Sequence, residues 1–163
     1  MGKKRSIVIV EPVSTGFNLI DDVRARGYQP VAVIAPSLGS EEDREVDREY
    51  VESFLVRLPK EVPVIDENPN YEEVLEEVRK YDPLLVIPGS DFGVELATRL
   101  GSDLGLRGNK WANIGKMTKK SEMHQALADY GIRYIRGRIV NSVDEARAFY
   151  EELGTPHIVV KPT

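Results

Sequence analysis

The chain has 163 residues, 30% of them charged and 41% hydrophobic, with a formal net charge of −5 and no cysteine. That length holds one domain, or one domain and a piece of another. The acidic balance rules out a general polyanion-binding field, so no nucleic-acid partner is expected. The missing cysteines exclude disulfides, a thiol nucleophile and thiolate metal sites, in keeping with a reducing, cytoplasmic setting.

No apolar run approaches the roughly 20 residues of a membrane helix, so no membrane partner is expected. Met1-Gly2 fits a loose acylation pattern, yet Lys3, Lys4 and Arg5 read more simply as a basic lead-in to a strand, and no signal peptide follows. Ser6 to Val10 is a continuous apolar run suited to a strand buried on both faces. It stops at Glu11-Pro12. The loop Val13-Ser14-Thr15-Gly16 then leads into a helix with Phe17, Ile20 and Val23 on one face, closed by Gly27. Pro30 to Ala35 is the next strand. Strand, loop, helix and strand in this order make a parallel βαβ unit with a right-handed crossover.

The Ser14 loop sits at the carboxyl end of the first strand, where open α/β sheets place ligands. With a single glycine it is no dinucleotide fingerprint. Two readings stand: a tight turn whose Ser14 or Thr15 caps the following helix, or part of a ligand-placing edge. Ser40 to Val56 is a charge-laced helix with Val46, Tyr50 and Phe54 as its narrow apolar stripe and Glu41/Arg44 and Glu45/Arg48 as paired charges. Val62 to Asp66 is a short third strand. Asn70 caps a helix carrying Tyr71, Val74, Leu75 and Val78, and Leu84 to Pro88 is a fourth, wholly apolar strand.

Gly89-Ser90-Asp91-Phe92-Gly93-Val94-Glu95 follows, opening a helix with Leu96, Ala97, Leu100 and Leu104 inward. A glycine-serine turn at a strand's carboxyl end and a helix start offers free backbone N–H groups to an anion. Gly115-Lys116-Met117-Thr118 imitates a phosphate loop, but Lys110 stands at the leading glycine position and Met117 at the hydroxyl position, so that motif fails. This stretch reads as a linker, with Trp111 packing near it. The two histidines, His124 and His157, belong to no His/Asp/Glu constellation, and no metal site is expected on them.

The last third reads as helix, strand, helix, strand. Met123, Ala126, Leu127 and Tyr130 form a helical face ending at Gly131. Tyr134 to Val140 alternates as a strand. Ser142 and Glu145 have capping-box spacing ahead of Val143, Ala146, Phe149 and Leu153, and Gly154 ends that helix. His157 to Lys161 is a short apolar strand that stops on Lys161-Pro162-Thr163. Lys120 at a helix start and Lys161 at a strand end are the chemical suspects.

The run Lys120-Ser-Glu-Met-His-Gln-Ala-Leu-Ala-Asp-Tyr-Gly131-Ile and the run Gly154-Thr-Pro156-His-Ile-Val-Val-Lys161-Pro162 resemble the two opening motifs of the ATP-grasp domain. Gly89 to Ala97, with Leu104-Gly-Leu106-Arg107-Gly108-Asn109, resembles the "G-S-E-x-G-V-E-L-A…L-G-L-P-G-N" of its amino-acid-ligase branch. Asp91 stands where glutamate is usual, and Arg107 and Arg133 stand where proline is usual. The resemblance is clear from Gly89 onward and in outline before it.

It implies an α/β fold: a Rossmann-like open parallel sheet flanked by helices over residues 1–112, the pre-ATP-grasp domain, then a truncated α+β ATP-grasp subdomain over 113–163. It also implies an ATP- and Mg²⁺-dependent carboxylate–amine ligase acting through an acylphosphate. Lys120 and Lys161 would hold nucleotide phosphates, with Lys119 the adjacent alternative. Ser14, Ser90, Asp91 and Glu95 would line the substrate side. No catalytic residue is assigned, and the Mg²⁺ ligands are expected beyond residue 163, so the chain alone is expected to be inactive. Its partners would be a small carboxylate and an amine, and a homo-oligomer is compatible with the sequence. Biotin-carboxylase-like or glycinamide-ribonucleotide-type ligation, and a non-catalytic α/β ligand-binding module, are the alternatives.

Overall fold

A computed structural model describes residues 5–35, 41–66 and 70–161, with side chains for all of these except 41–47. The acylation reading at the N-terminus, the Glu41/Arg44 and Glu45/Arg48 pairs and the last two residues lie outside it. The chain divides into two compact units, Met1–Ile114 and Gly115–Thr163.

The first unit is a four-stranded parallel sheet in the order β3-β2-β1-β4, with β1 Ser6–Val10, β2 Gln29–Val33, β3 Val64–Ile65 and β4 Pro83–Pro88. β1 is central, pairing Ile7 with Pro30 on one side and with Leu85 on the other. Its run of apolar residues needs covers on both faces, and the pleat sorts them. Ile7 and Ile9 join Ile20 and Val23 of helix α1 (Leu19–Ala25). Val8 and Val10 join Val74, Leu75 and Val78 of a helix after β3 and Ala97 and Leu100 of another after β4.

The elements follow the expected order, with helix α2 at Glu41–Leu55, α3 at Tyr71–Arg79 and α4 at Val94–Asp103. Asn70 caps α3 by accepting the Glu72 N–H at 3.2 Å. Pro30 lies inside β2 without breaking a ladder bond. Ala32 and Ile34 donate their N–H groups toward β3, to Pro63 and Ile65, so residue 30 faces the same way, before the pairing with β3 begins at Ala32. β3 is shorter than the Val62–Asp66 expected, since only Val64 and Ile65 reach the ladder.

The second unit contains α5 from Gly115 (the helix spans Ile114–Thr118), α6 Lys120–Asp129 and α7 Val143–Leu153. Ser142 caps α7, its Oγ accepting the Glu145 N–H at 3.2 Å, while Glu145 reaches back to the N–H of Asn141 at 2.8 Å. This is a capping box displaced by one residue on its return bond.

The two strands expected at Tyr134–Val140 and His157–Lys161 are not formed among the described residues. A strand exists only through a neighbour's ladder, and neither segment has one. Side chains hold the first segment instead. Arg136 and Arg138, on one parity, both reach Glu152 of α7, at 3.0 and 2.6 Å, and Arg138 lies over the Phe149 ring. The apolar side chains of the second stay open to solvent, Val159 with 81% of its surface exposed. No helix among the described residues is long and apolar enough to cross a membrane.

α3 and α4 are clamped by Tyr71, whose hydroxyl donates to Asp103 at 2.6 Å under the Arg99 guanidinium, 3.5 Å from the ring centre. Burial, and then the bond to Asp103, push the phenol's pKa up. A raised folded pKa means this contribution is complete below the unfolded value near 10 and is lost as pH rises above it. Tyr71→Phe is expected to cost about 1 kcal/mol at neutral pH. The wild type should therefore lose stability more steeply than the variant above pH ~10, as read by urea midpoints across pH.

Candidate functional site

The strand order reverses between β1 and β4: the chain winds outward through β2 and β3, then returns to the other side of β1. At such a reversal the covering helices go to opposite faces and a crevice opens at the strands' carboxyl ends. The crevice here is an open cleft of about 550 Å³ between the loop after β1 and the loop after β4. Val13, Ser14 and Thr15 line it from one loop, and Gly89, Ser90, Asp91 and Phe92 from the other, with Tyr50 of α2 alongside.

Three backbone approaches set the base of the cleft. A Cβ on Gly16 would lie 1.8 Å from the Gly89 carbonyl oxygen, one on Gly89 2.5 Å from that of Glu11, and one on Gly93 2.4 Å from that of Val10. The Gly89 N–H donates to Val10 at 2.7 Å, so the turn after β4 is hydrogen-bonded to the end of β1. Glu11 and Ser14 both take left-handed backbone, at φ 55° and 53°. Side chains rarely accept that region.

Neither Ser14 nor Thr15 caps the next helix. The turn Ser14–Asn18 is a 3-10 helix whose N-cap is Val13, without a side-chain cap bond. With its backbone left-handed, Ser14 is outside the extended conformation an N-cap serine uses. Both hydroxyl residues are exposed on the cleft instead.

On the opposite loop Ser90 precedes a short 3-10 turn, Asp91–Gly93, that feeds α4. Its Oγ is buried and makes no hydrogen bond among the described residues. Asp91 is exposed at that turn. Glu95, the fourth residue expected here, is exposed one turn further on and does not line the cleft. Among the described lining residues Asp91 is the one charged group, and the rest are hydroxyls, a phenol and apolar carbon.

Three features escaped the sequence reading. Tyr50 was expected on a core-facing stripe, but 45% of its surface is exposed and it lines the cleft. It is held there by Phe54, 5.2 Å between ring centres, which meets Phe17 at 5.9 Å beneath the Arg57 guanidinium. Phe92 has 71% of its surface exposed on the rim. Glu11 is buried beneath the cleft, and the signal for it was available: a lone carboxylate immediately after a wholly apolar central strand.

Lys120 and Lys161 both belong to the second unit. Lys120 is the first residue of α6 and exposed, and Lys161 is also exposed. The adjacent Lys119 is the N-cap residue, and its ammonium pairs with Glu122 at 3.1 Å. Among the described residues no three His, Asp or Glu side chains converge.

No protein-family model matches the chain. It is 28% identical over 102 residues to the alanine–anticapsin ligase of Bacillus subtilis (strain 168), a match covering 60% of this chain and 21% of that protein. Its fold is similar to phosphoribosylglycinamide synthetase from Anaerococcus prevotii, with a TM-score of 0.55 at 16% identity over 93% of this chain and 35% of the other. It is also similar to L-amino acid ligase from Bacillus licheniformis, with a TM-score of 0.52 at 9% identity over 94% and 43%. The matched regions thus span less than half the length of each of these proteins.

The glycine contacts make a sharp test of the site's architecture. Gly89→Ala forces a Cβ into backbone that cannot yield and should cost about 2–3 kcal/mol. Gly108→Ala, where a Cβ meets nothing within 4 Å, should change stability by less than about 0.5 kcal/mol. Denaturant midpoints of the two variants check the contrast.

Proposed function

We propose, for a chain that resembles the ATP-grasp carboxylate–amine ligases in motif, relative and fold, that it is the N-terminal part of an enzyme joining a carboxylate to an amine with ATP as co-substrate. The observation that carries this reading is the cleft at the sheet reversal. It gathers Ser14, Ser90 and Asp91, and the last two lie in the motif shared with the amino-acid-ligase branch.

When ATP is bound, its γ-phosphoryl group supplies the activation that turns a carboxylate into an acylphosphate. On this chain, Lys120 and Lys161 would hold phosphate oxygens by charge-assisted hydrogen bonds. Lys120 suits that work better than Lys119, whose ammonium is engaged by Glu122. No ligand set for Mg²⁺ comes together among the described residues, so no step is assigned to the metal here.

The cleft would hold the substrates' organic part. A lone carboxylate among hydroxyls and aromatic rings attracts an ammonium group carrying an apolar body. It repels a phosphate, which argues for an amino-acid-like substrate over a phosphorylated sugar amine. Ser90, whose buried hydroxyl is unmatched, would orient the bound molecule by donating to it or accepting from it.

ADP release by the full-length protein over a panel of acid and amine pairs tests the reading. Lys120→Ala and Lys161→Ala are each expected to raise KM for ATP by about tenfold or more, the loss of one charge-assisted bond to phosphate. Asp91→Asn should raise KM for the amine-bearing substrate by a similar factor, about tenfold, and leave KM for ATP alone. The 163-residue chain by itself should release no ADP. Ligand binding at Ser14 and Ser90 that ignores ATP and survives loss of both lysines would replace the ligase reading with a non-catalytic binding module.

A further inference from the structure

Glu11 is unusual in two ways at one position. Its side chain ends in a carboxyl group, yet only 3% of the residue is exposed, and its backbone is left-handed at φ 55°, where glycine would sit unstrained. What the carboxylate does there is local and specific. Its Oε1 accepts the N–H of Ala35, just past the end of β2, at 2.5 Å. The Glu11 N–H donates to Val33 at 2.8 Å, and the Glu11 carbonyl accepts the N–H of Val13 at 2.8 Å.

The same residue also supports the other wall. The α-carbon of Gly89 rests against the Glu11 carbonyl, and a Cβ on Gly93 would come within 3.3 Å of the Glu11 Cβ. One buried residue therefore reaches the end of β2 through its side chain and backbone N–H, and the loop carrying Ser14 and the glycine before Ser90 through its backbone carbonyl. Glu11 itself does not line the cleft.

We infer that Glu11 is a positioning residue. Its carboxylate ties β2 to the end of β1 and thereby fixes the separation of the two loops that form the cleft. The consequence is that affinity for whatever binds in the cleft depends on Glu11 without contact between them. The kinetic part of its test rests on the ligase reading, while the structural part does not.

Three variants separate positioning from stability. Glu11→Gln keeps a carbonyl acceptor for Ala35, Glu11→Ala removes it, and Glu11→Gly removes it while relieving the left-handed backbone. Amide NMR of the 163-residue chain should show the Ser14, Thr15, Ser90 and Phe92 resonances displaced in Glu11→Ala and Glu11→Gly and restored in Glu11→Gln. Exchange protection of the Ala35 amide should fall at least about tenfold in the first two.

In the full-length protein, Glu11→Gly should melt no lower than Glu11→Ala yet share its rise, about tenfold, in KM for the amine-bearing substrate. For both, kcat and KM for ATP should stay within about twofold of wild type. Cleft resonances and KM at wild-type values in Glu11→Gly would overturn the inference, as would Glu11→Gln impaired as badly as Glu11→Ala. If the wild type releases no ADP with any substrate pair, the ligase reading fails, and the cleft resonances alone then decide for or against Glu11.

Discussion

The first unit depends on a steric constraint: at the point where the sheet reverses, two backbone turns approach so closely that no side chain fits between them. Gly16 faces the carbonyl of Gly89, Gly89 that of Glu11, and Gly93 that of Val10. A crevice at a topological switch point is open by construction, because the helices on either side diverge. The glycine contacts close its base and make its two loops one body. They also account for the strained backbone beside them. Glu11 and Ser14 bracket Pro12 and Val13, and both are held left-handed, a conformation that persists only where surrounding contacts over-determine it. Two of the three non-glycine residues with positive φ among the described residues thus fall in the loop after β1; the third, Asp82, precedes β4 at the opposite end of that strand.

The second unit is organised by different forces. Its helices are fixed by local signals: Ser142 caps α7, and Gly131 and Gly154 follow α6 and α7 with positive φ. The segment between the helices is tied to α7 by two arginines sharing one glutamate rather than by a ladder. Exposed ion pairs of this kind contribute little to stability individually. What they do here is direction, since both guanidinium groups are drawn to one side of the segment, which leaves Ile135 and Ile139 of the other parity open to solvent.

How much of this was legible in the sequence follows from the range of each interaction. Strand β1, the cap at Asn70, the cap at Ser142 and the ends of α6 and α7 are written in neighbouring residues, and the chain alone suffices to find them. The placement of Ser14, Ser90 and Asp91 on one cleft was legible too, because carboxyl ends of parallel strands share an edge. Glu95, the second residue of α4, is exposed but stands outside the cleft lining, which takes from this helix only Val94. Tyr50 was misjudged because a stripe of Val46, Tyr50 and Phe54 specifies a helical face but not where along that face the core ends. The glycine contacts and the Ala35–Glu11 bond join residues distant in sequence and leave no periodic trace. The two missing strands belong to the same class, since alternation states a willingness to pair and cannot supply a partner.

The departure at Asp91 gains meaning from the geometry around it. Relative to the glutamate usual in the resembling ligases, the carboxylate is one methylene shorter, and it stands on an exposed 3-10 turn beside Phe92. A shorter carboxylate reaches less far across a lining that also carries Phe92 and Tyr50. On the proposed reading, an ammonium group held by Asp91 would sit nearer the β4 loop than one held by a glutamate. The same retraction leaves the single negative charge of the lining more open to water, which weakens its pull. If the cleft holds an amine-bearing substrate as proposed, shape against the two aromatic side chains would take over part of the discrimination. KM across a series of amines should then follow the size of the apolar group more than the basicity of the nitrogen.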